Sequence, residues 1–415
     1  MTEPTGSSPR NFKAFVWHGL FLAFATTFTE INTVLPALVV QAGGSAFQLG
    51  VLTAIMVGVP MLAQLFFAGV ITPRPLKKSL LLLGIYVRVL ALLGVAWTLS
   101  RVTSLQSGGL LIFFVYLWML LFTTSGAFAG LAYTDILGKS VIGLDRRRFF
   151  IIRQIFNSMG ILISALIARQ VLVRMPYPQN YYTLFLAAGG LLFVAAGGFL
   201  FLRERPTRTA FQPGSFVEIL RYIPQALRTD ANLRYFVILT NLTGFALTSV
   251  PFYIAMAKDR FGLGGESIGN FLLIQILGML LSNLIWSRMV NRGGFRAVLF
   301  ATAGLGVALP VLALGVVFWG PASWYYGVFF VSGMMLSARK IAFDGALLEI
   351  STEENRTLYQ GIQGAFNITV AIFPLLGGAL IAGFGFTPTF LLVALFLLAA
   401  FPVIGKLNCP VERVK

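Results

Sequence analysis

The chain has 415 residues, 57% hydrophobic and only 11% charged, where an ordinary soluble protein carries about a quarter charged. That balance excludes a soluble globular protein, because only a bilayer absorbs so much apolar surface. One cysteine, Cys409, and one histidine, His18, exclude a disulfide framework, a thiolate metal cluster and a multi-histidine metal or haem site.

A membrane helix needs about 20 apolar residues. In chain order the pattern predicts twelve spans: Ala14–Val40, Phe47–Ile71, Ser79–Leu99, Gly109–Thr134, Phe149–Leu172, Tyr182–Leu202, Leu233–Ala257, Ser267–Arg288, Arg296–Phe318, Trp324–Leu348, Thr357–Leu380 and Thr387–Lys406. The first runs past signal-peptide length, so it is expected to stay as a helix. The fold class is all-α integral membrane, with twelve transmembrane helices as two parallel six-helix repeats. Residues 1–202 form one six-helix bundle and 233–415 the other. Between them, 203–232 is a linker, where Phe216, Ile219, Leu220, Ile223 and Leu227 recur at helical spacing. That spacing predicts an amphipathic helix on the cytoplasmic membrane face.

The net charge of +17 follows the loops. Loops on one side of the membrane hold 22 of the 31 basic residues and those on the other hold five, Arg101, Arg169, Arg174, Lys258 and Arg260. The positive-inside rule puts both termini in the cytoplasm of a multi-pass cell (inner) membrane protein. The basic balance is a topology signal, and no nucleic-acid partner is expected. Trp17, Trp97, Trp286, Trp319 and Trp324 fall near span ends, as an aromatic belt requires, while Trp118 lies well inside the fourth span.

The two halves repeat. Thr33-x-x-Pro36 recurs as Thr248-x-x-Pro251, and Pro73-Arg74 as Asn291-Arg292. Asp135 recurs as Asp344, and Arg146-x-x-Phe149 followed by Phe156-Asn157 as Arg356-x-x-Tyr359 followed by Phe366-Asn367. Pairs in one order at nearly constant offset mark parallel repeats.

On these features the chain resembles the major facilitator superfamily of secondary transporters over its whole length. The family pattern after the second helix is G-x-x-x-D-R-x-G-R-R. Here Gly69, Arg74, Lys77 and Lys78 match it, with Pro73 for the aspartate and Leu76 for the second glycine. The second copy, Ser287 to Arg296, has Asn291 for the aspartate. The family's arginine signature in the fourth helix is absent from Phe113 to Thr134. The resemblance implies alternating access, in which the two halves rock around a midplane site lined by the first, fourth, seventh and tenth helices.

A charge at a helix centre in lipid costs at least ~2.5–3.5 kcal/mol, so each needs a reason. The candidates are Glu30, Arg88, Arg153, Arg339, Lys340 and Asp344, with Asp135 and Glu349 nearer the edge. Asp135 and Asp344 occur in both halves just before Arg146 and Arg356, which suits a cytoplasmic gate or a static staple. Glu30, Arg339 and Lys340 have no charged repeat partner, so fold symmetry does not require them. Thr26, Glu30 and Thr33 fall at i, i+4 and i+7, one polar stripe on a continuous helix. Lys340 can pair with Asp344, leaving Arg339 for an anionic group. Arg88 is expected to pair with Glu30 or another inward group, or to meet substrate. Trp118 reads as packing or as a ligand stack, Asn241 as interhelical hydrogen-bond glue or a substrate contact, and Gln275 as glue. Gly126-x-x-x-Gly130 reads as close helix packing. Opposed effects of burial and neighbouring cations on a carboxylate make Glu30 the candidate for proton coupling.

No phosphate-cradling loop and no metal or nucleophile constellation is visible, so neither an enzyme nor a cofactor is expected. The implied function is secondary active transport of a small organic, amphipathic or anionic solute, coupled to a proton or ion and performed by a monomer. The alternatives are a non-transporting membrane assembly or delivery factor on the same fold, and a lipid flippase. The 22-to-5 asymmetry predicts that a reporter fused after Lys415 reads as cytoplasmic. An external reading overturns the topology.

Overall fold

The computed structural model describes residues 9–71, 74–101, 108–140, 143–206, 216–262, 264–351, 359, 362–364 and 366–408. At 65, 68, 69, 143–148, 150, 151, 153, 154 and 216–222 it describes backbone only. The loop copy at Pro73, the Arg356 position and the side chains of Arg146 and Arg153 lie outside the described residues. The elements are α1 Pro9–Phe28, α2 Val34–Gln41, α3 Ala46–Thr53, a π turn at Ala54–Gly58, α4 Val59–Ile71, α5 Lys78–Ser100, α6 Gly108–Ser140, α7 Gly143–Arg174 and α8 Gln179–Leu200. They continue as α9 Phe216–Thr229, α10 Ala231–Phe261, α11 Gly265–Trp319, α12 Tyr325–Ile350, α13 Ile368–Phe384, α14 Phe386–Leu398 and α15 Ala400–Lys406.

Among the described residues, nine helices are long and apolar enough to cross a membrane. One of them, α11, bends at Gly294, where φ is 67° and ψ −175°. Only glycine reaches that conformation without strain, so α11 supplies two of the expected spans. The first and tenth expected spans, α1–α2 and α12, are helical but not among the nine. Helical segments therefore stand at all twelve expected positions.

The first span is not the continuous helix that the apolar pattern suggests. It breaks at Thr29–Thr33. Pro36 has no N–H to donate and its ring crowds the carbonyl four residues back, so a helix holds Pro36 at least cost in its first turn. The chain accordingly restarts at Val34, and the stripe of Thr26, Glu30 and Thr33 is a turn instead of a helix face. The repeat copy behaves otherwise, since α10 runs through Pro251. There the hydroxyls of Thr248 and Ser249 donate to the carbonyls of Gly244 and Phe245, at 2.8 and 2.6 Å.

The described chain forms two compact units. The first contains Met1–Leu38 and Val59–Ser215. In it α1 packs on α7 and α8, and α5 on α6 and α8. Its core is aromatic: Phe15 meets Tyr133 and Phe199 edge-on, each at 5.2 Å, and His18 lies 4.5 Å from Phe199. Trp118 lies flat against Gly94, where a Cβ would come within 2.4 Å of the indole. Only glycine admits a ring at that distance.

The second unit contains Val39–Gly58 and Phe216–Lys415. Residues 39–58 pack on α13 at backbone distance, since a Cβ on Gly50 would lie 2.1 Å from the Pro374 carbonyl oxygen. Lys258, in the last turn of α10, donates to the Val40 carbonyl near the end of α2, where a cation complements the helix dipole. The α11–α12 pair is equally close. A Cβ on Gly278 would lie 2.2 Å from the Phe330 oxygen, and one on Gly333 2.0 Å from the Gln275 oxygen. Small residues give membrane helices this approach, and the Gln275 amide adds a 3.1 Å bond to Ser332.

Two expectations change here. Trp286 is buried and donates to Ser282 at 3.0 Å, so it is interior packing, whereas Trp17, Trp97, Trp319 and Trp324 are exposed as a belt requires. The linker helix forms as α9, but Ile223 and Ala226 bury against Leu233, Phe236 and Leu407. At those positions its apolar face meets protein, because the second unit offers a dry surface closer than lipid. Gly333→Ala is expected to destabilise the protein by about 1–3 kcal/mol through overpacking. Gly327→Ala, on the same helix with nothing within 4 Å, is the control. Thermal unfolding in detergent separates the two, and equal midpoints would remove the close-packing account.

Candidate functional site

Glu30 sits in the turn between α1 and α2. Three donors converge on its carboxylate: the Asn32 backbone N–H at 2.6 Å, the Asn32 amide at 2.9 Å and the Thr33 hydroxyl at 3.0 Å. The Leu35 N–H also reaches the Glu30 carbonyl at 3.0 Å. The carboxylate thus closes the turn that leads into α2, and the backbone oxygen takes the otherwise unpaired N–H of Leu35 in the first turn of that helix. A carboxylate suits that place, because a helix N-terminus carries partial positive charge. Asn32 and Thr33 are buried. No cation forms an ion pair with Glu30 among the described residues.

Arg88 is not joined to Glu30. Its guanidinium lies over the Phe122 ring, 4.4 Å from the centroid, on the neighbouring α6. Its Nε is enclosed and has no hydrogen-bond partner. Gly126 makes the room, since a Cβ there would stand 3.3 Å from Nε. Gly126 is therefore a berth for a cation, and Gly130 has nothing within 4 Å, so the expected G-x-x-x-G packing is replaced by contacts of Gly84 with Ser125 and Ala129. Trp118 donates to Thr98 at 3.1 Å, with Gly94 beneath the ring, the contacts that its packing reading expects.

In the second unit, Arg339 on α12 reaches α10. Its Nε donates to the Thr243 hydroxyl and one terminal nitrogen to the Thr240 carbonyl, both at 3.2 Å. Its own Phe343, one turn on, takes the guanidinium face at 4.9 Å. Neutral oxygens satisfy part of its donor set and no carboxylate joins it among the described residues. Lys340 and Asp344 are both exposed and do not close to ion-pair distance. Asn241 is glue, as one of its two readings has it. Its amide donates to the Phe366 carbonyl at 2.6 Å and its oxygen accepts from the Thr369 N–H at 3.0 Å, capping α13 from a different helix. Both its donor and its acceptor are engaged within the protein.

Asp135 makes two ion pairs that its repeat symmetry does not suggest, with Lys77 at 2.9 Å and with Lys139 one turn along α6. Lys77 is 3% exposed. Glu204, after α8, is 4% exposed and accepts from the backbone N–H groups of Lys77 and Lys78 at 2.6–2.8 Å. It caps α5 from across the unit. Lys77, Lys139 and Glu204 escape a search for intramembrane charge because they read as loop residues. The available signal was their sign, since Asp135 and Glu204 are acids on a strongly basic side.

Residues 235–408 match the model of the Major Facilitator Superfamily. Among solved structures, the chain is similar to a POT family transporter in complex with 5-aminolevulinic acid. The identity is 13% and the TM-score 0.73, covering 96% of this chain and 97% of that one. It is also similar to the nucleoside transporter NupG, at 13% identity and a TM-score of 0.64 over 96% and 99% of the two chains. A bacterial homolog to the human lysosomal transporter Spinster, in an inward-facing and unoccupied conformation, aligns at 11% identity and 0.66 over 97% and 98%. A sequence search of curated proteins finds no match. At these identities the likeness shows the fold, so the chain is a multi-pass membrane protein with the major facilitator fold.

Removing one member of a buried ion pair costs ~3–5 kcal/mol, and Asp135 keeps 29% exposure, so Asp135→Asn is expected to lose about 2 kcal/mol. The double change Lys77→Gln with Asp135→Asn should recover part of it in thermal unfolding. Additive losses would show that the two charges do not interact.

Proposed function

We propose that this chain, which has the major facilitator fold, is a secondary active transporter. It moves a small organic solute with an amphipathic or anionic character by alternating access, coupled to a proton or ion. The observation that carries this reading is the state of the intramembrane charges. Arg88 lies in α5, which is long and apolar enough to cross a membrane, Glu30 and Arg339 lie at the first and tenth expected spans, and none forms an ion pair among the described residues. A passive scaffold would pair or omit such charges, whereas a transporter holds them for a travelling ion or solute. The similar structures include one holding 5-aminolevulinic acid and one named for nucleosides, so the fold accepts small polar organic molecules without fixing which.

Glu30 is the coupling residue in this reading. As a carboxylate it accepts three bonds and holds the start of α2. Protonation turns one oxygen into a donor facing a donor, which weakens the cap. The proton thereby acts on the shape of the break in the first span, the element through which binding and movement are linked. Arg339, held against α10 by neutral oxygens, is the cation offered to the solute's anionic group. The basic loops orient the protein with both termini in the cytoplasm of the cell membrane, and Asp135 with Lys77 and Lys139 belongs to the gate at that end.

The test uses purified protein in liposomes under an imposed pH gradient. Wild type is expected to concentrate substrate. Glu30→Gln should bring it only to equal concentrations inside and out, while gradient-free exchange survives. Its stability should fall by about 1 kcal/mol through the weakened cap. A Glu30→Gln protein that still concentrates substrate removes the proton role. A wild type that moves no solute favours an assembly or delivery role, and one that moves only lipid favours a flippase.

A further inference from the structure

We infer that Arg88 is a binding site for a planar or tetrahedral oxyanion, a carboxylate or a phosphate, carried by the transported solute. The inference rests on the transporter reading and adds to Arg339 a second cation for the solute's anionic group, with the class of group it takes.

The location comes first. Arg88 is the eleventh residue of the 23-residue α5, about 15 Å from either end at 1.5 Å per residue. It lies on the packed face, since Leu81, Gly84, Ile85, Ala91, Leu92 and Val95, its helical neighbours, are all buried. The exposed stripe of α5, Leu83, Leu90 and Trp97, is elsewhere on the helix. Lipid is therefore not what Arg88 faces, and the headgroup layer is distant.

The directions in which the guanidinium can bind are then narrowed. One planar face is covered by Phe122, itself buried. The Nε corner is enclosed against Gly126 and finds no acceptor. The terminal nitrogens are not enclosed in this way. What remains open is the outer fork, two parallel N–H groups at the spacing of a carboxylate or phosphate edge. A lysine would fill this berth with a point charge and lose the fork. Arg339 differs, because its Nε and one terminal nitrogen already hold oxygens of α10. Arg88 has no acceptor at all among the described residues, and a cation at mid-membrane without one is explained by an anion that comes and goes.

The test is thermal unfolding of the full-length protein in detergent. It is titrated with sodium benzoate, sodium phenylphosphonate and inorganic phosphate, each against sodium chloride at equal ionic strength. A further arm uses phosphatidylglycerol in mixed micelles. A saturable rise in midpoint with at least one oxyanion is expected, since a ligand that binds only the folded state stabilises it. Arg88→Gln should weaken the apparent affinity by about tenfold or more, and Arg88→Lys by less, as the fork is lost but not the charge. Arg101→Gln, a cation at the end of the same helix, should leave it unchanged. Where Arg88→Gln does not fold, Gly126→Ala tests the same berth, since its Cβ crowds Nε and should shift the affinity. A response to phosphatidylglycerol alone, lost in Arg88→Gln, keeps the oxyanion site and assigns it to a lipid phosphate. No response to any oxyanion, or an unchanged response in Arg88→Gln, overturns the inference. An Arg88-dependent response in a protein that moves no solute in liposomes removes the transporter reading and leaves the site standing.

Discussion

A helix end in or beside a bilayer exposes backbone N–H groups that no lipid can satisfy, and much of this structure depends on how that need is met. Glu30 meets it at α2, Asn241 at α13 and Glu204 at α5. In each case a polar side chain supplies acceptor oxygen where the helix itself has none. These caps permit the broken segments, and the broken segments place charge where an unbroken helix would hide or forbid it. Glu30 has its position because Pro36 stops the helix and the restart requires an acceptor.

The same constraint separates structural from available charge. Lys77, Asp135, Lys139 and Glu204 form a closed set in which donors meet acceptors. Arg339 is partly closed, with two of its donors on oxygens of α10. Arg88 is open, held by an aromatic face and the absence of a Cβ at Gly126. Aromatic faces substitute for counter-ions in both units, since cation–π contact is strongest where water is excluded. The gradation from closed to open follows how many of each cation's donors find an acceptor within the protein.

Close helix packing underlies that gradation. The pair α11–α12 and the contact of residues 39–58 with α13 place backbone against backbone at glycine positions. Packing this tight cannot be read from a glycine count, because many glycines in the chain face open space. Gly130 and Gly333 look alike in sequence, and only Gly333 has a carbonyl within 2.0 Å of where its Cβ would be.

The membrane class, the span order and the internal repeat were legible in the sequence, because apolar length and charge asymmetry are local properties that the bilayer reads segment by segment. The candidate charges were legible for the same reason, as each one interrupts an apolar run. Their partners were not. The sequence suggested Glu30 with Arg88, Lys340 with Asp344, and Trp118 with packing or a ligand. Tertiary structure instead gave Glu30 to Asn32 and Thr33, Arg88 to Phe122, Trp118 to Gly94 and Thr98, and Asp135 to Lys77. These pairings are set by how helices distant in sequence come together, so no local pattern encodes them. Period and charge decided which residues are costly to bury, and packing between helices decided which of those costs are met inside the protein.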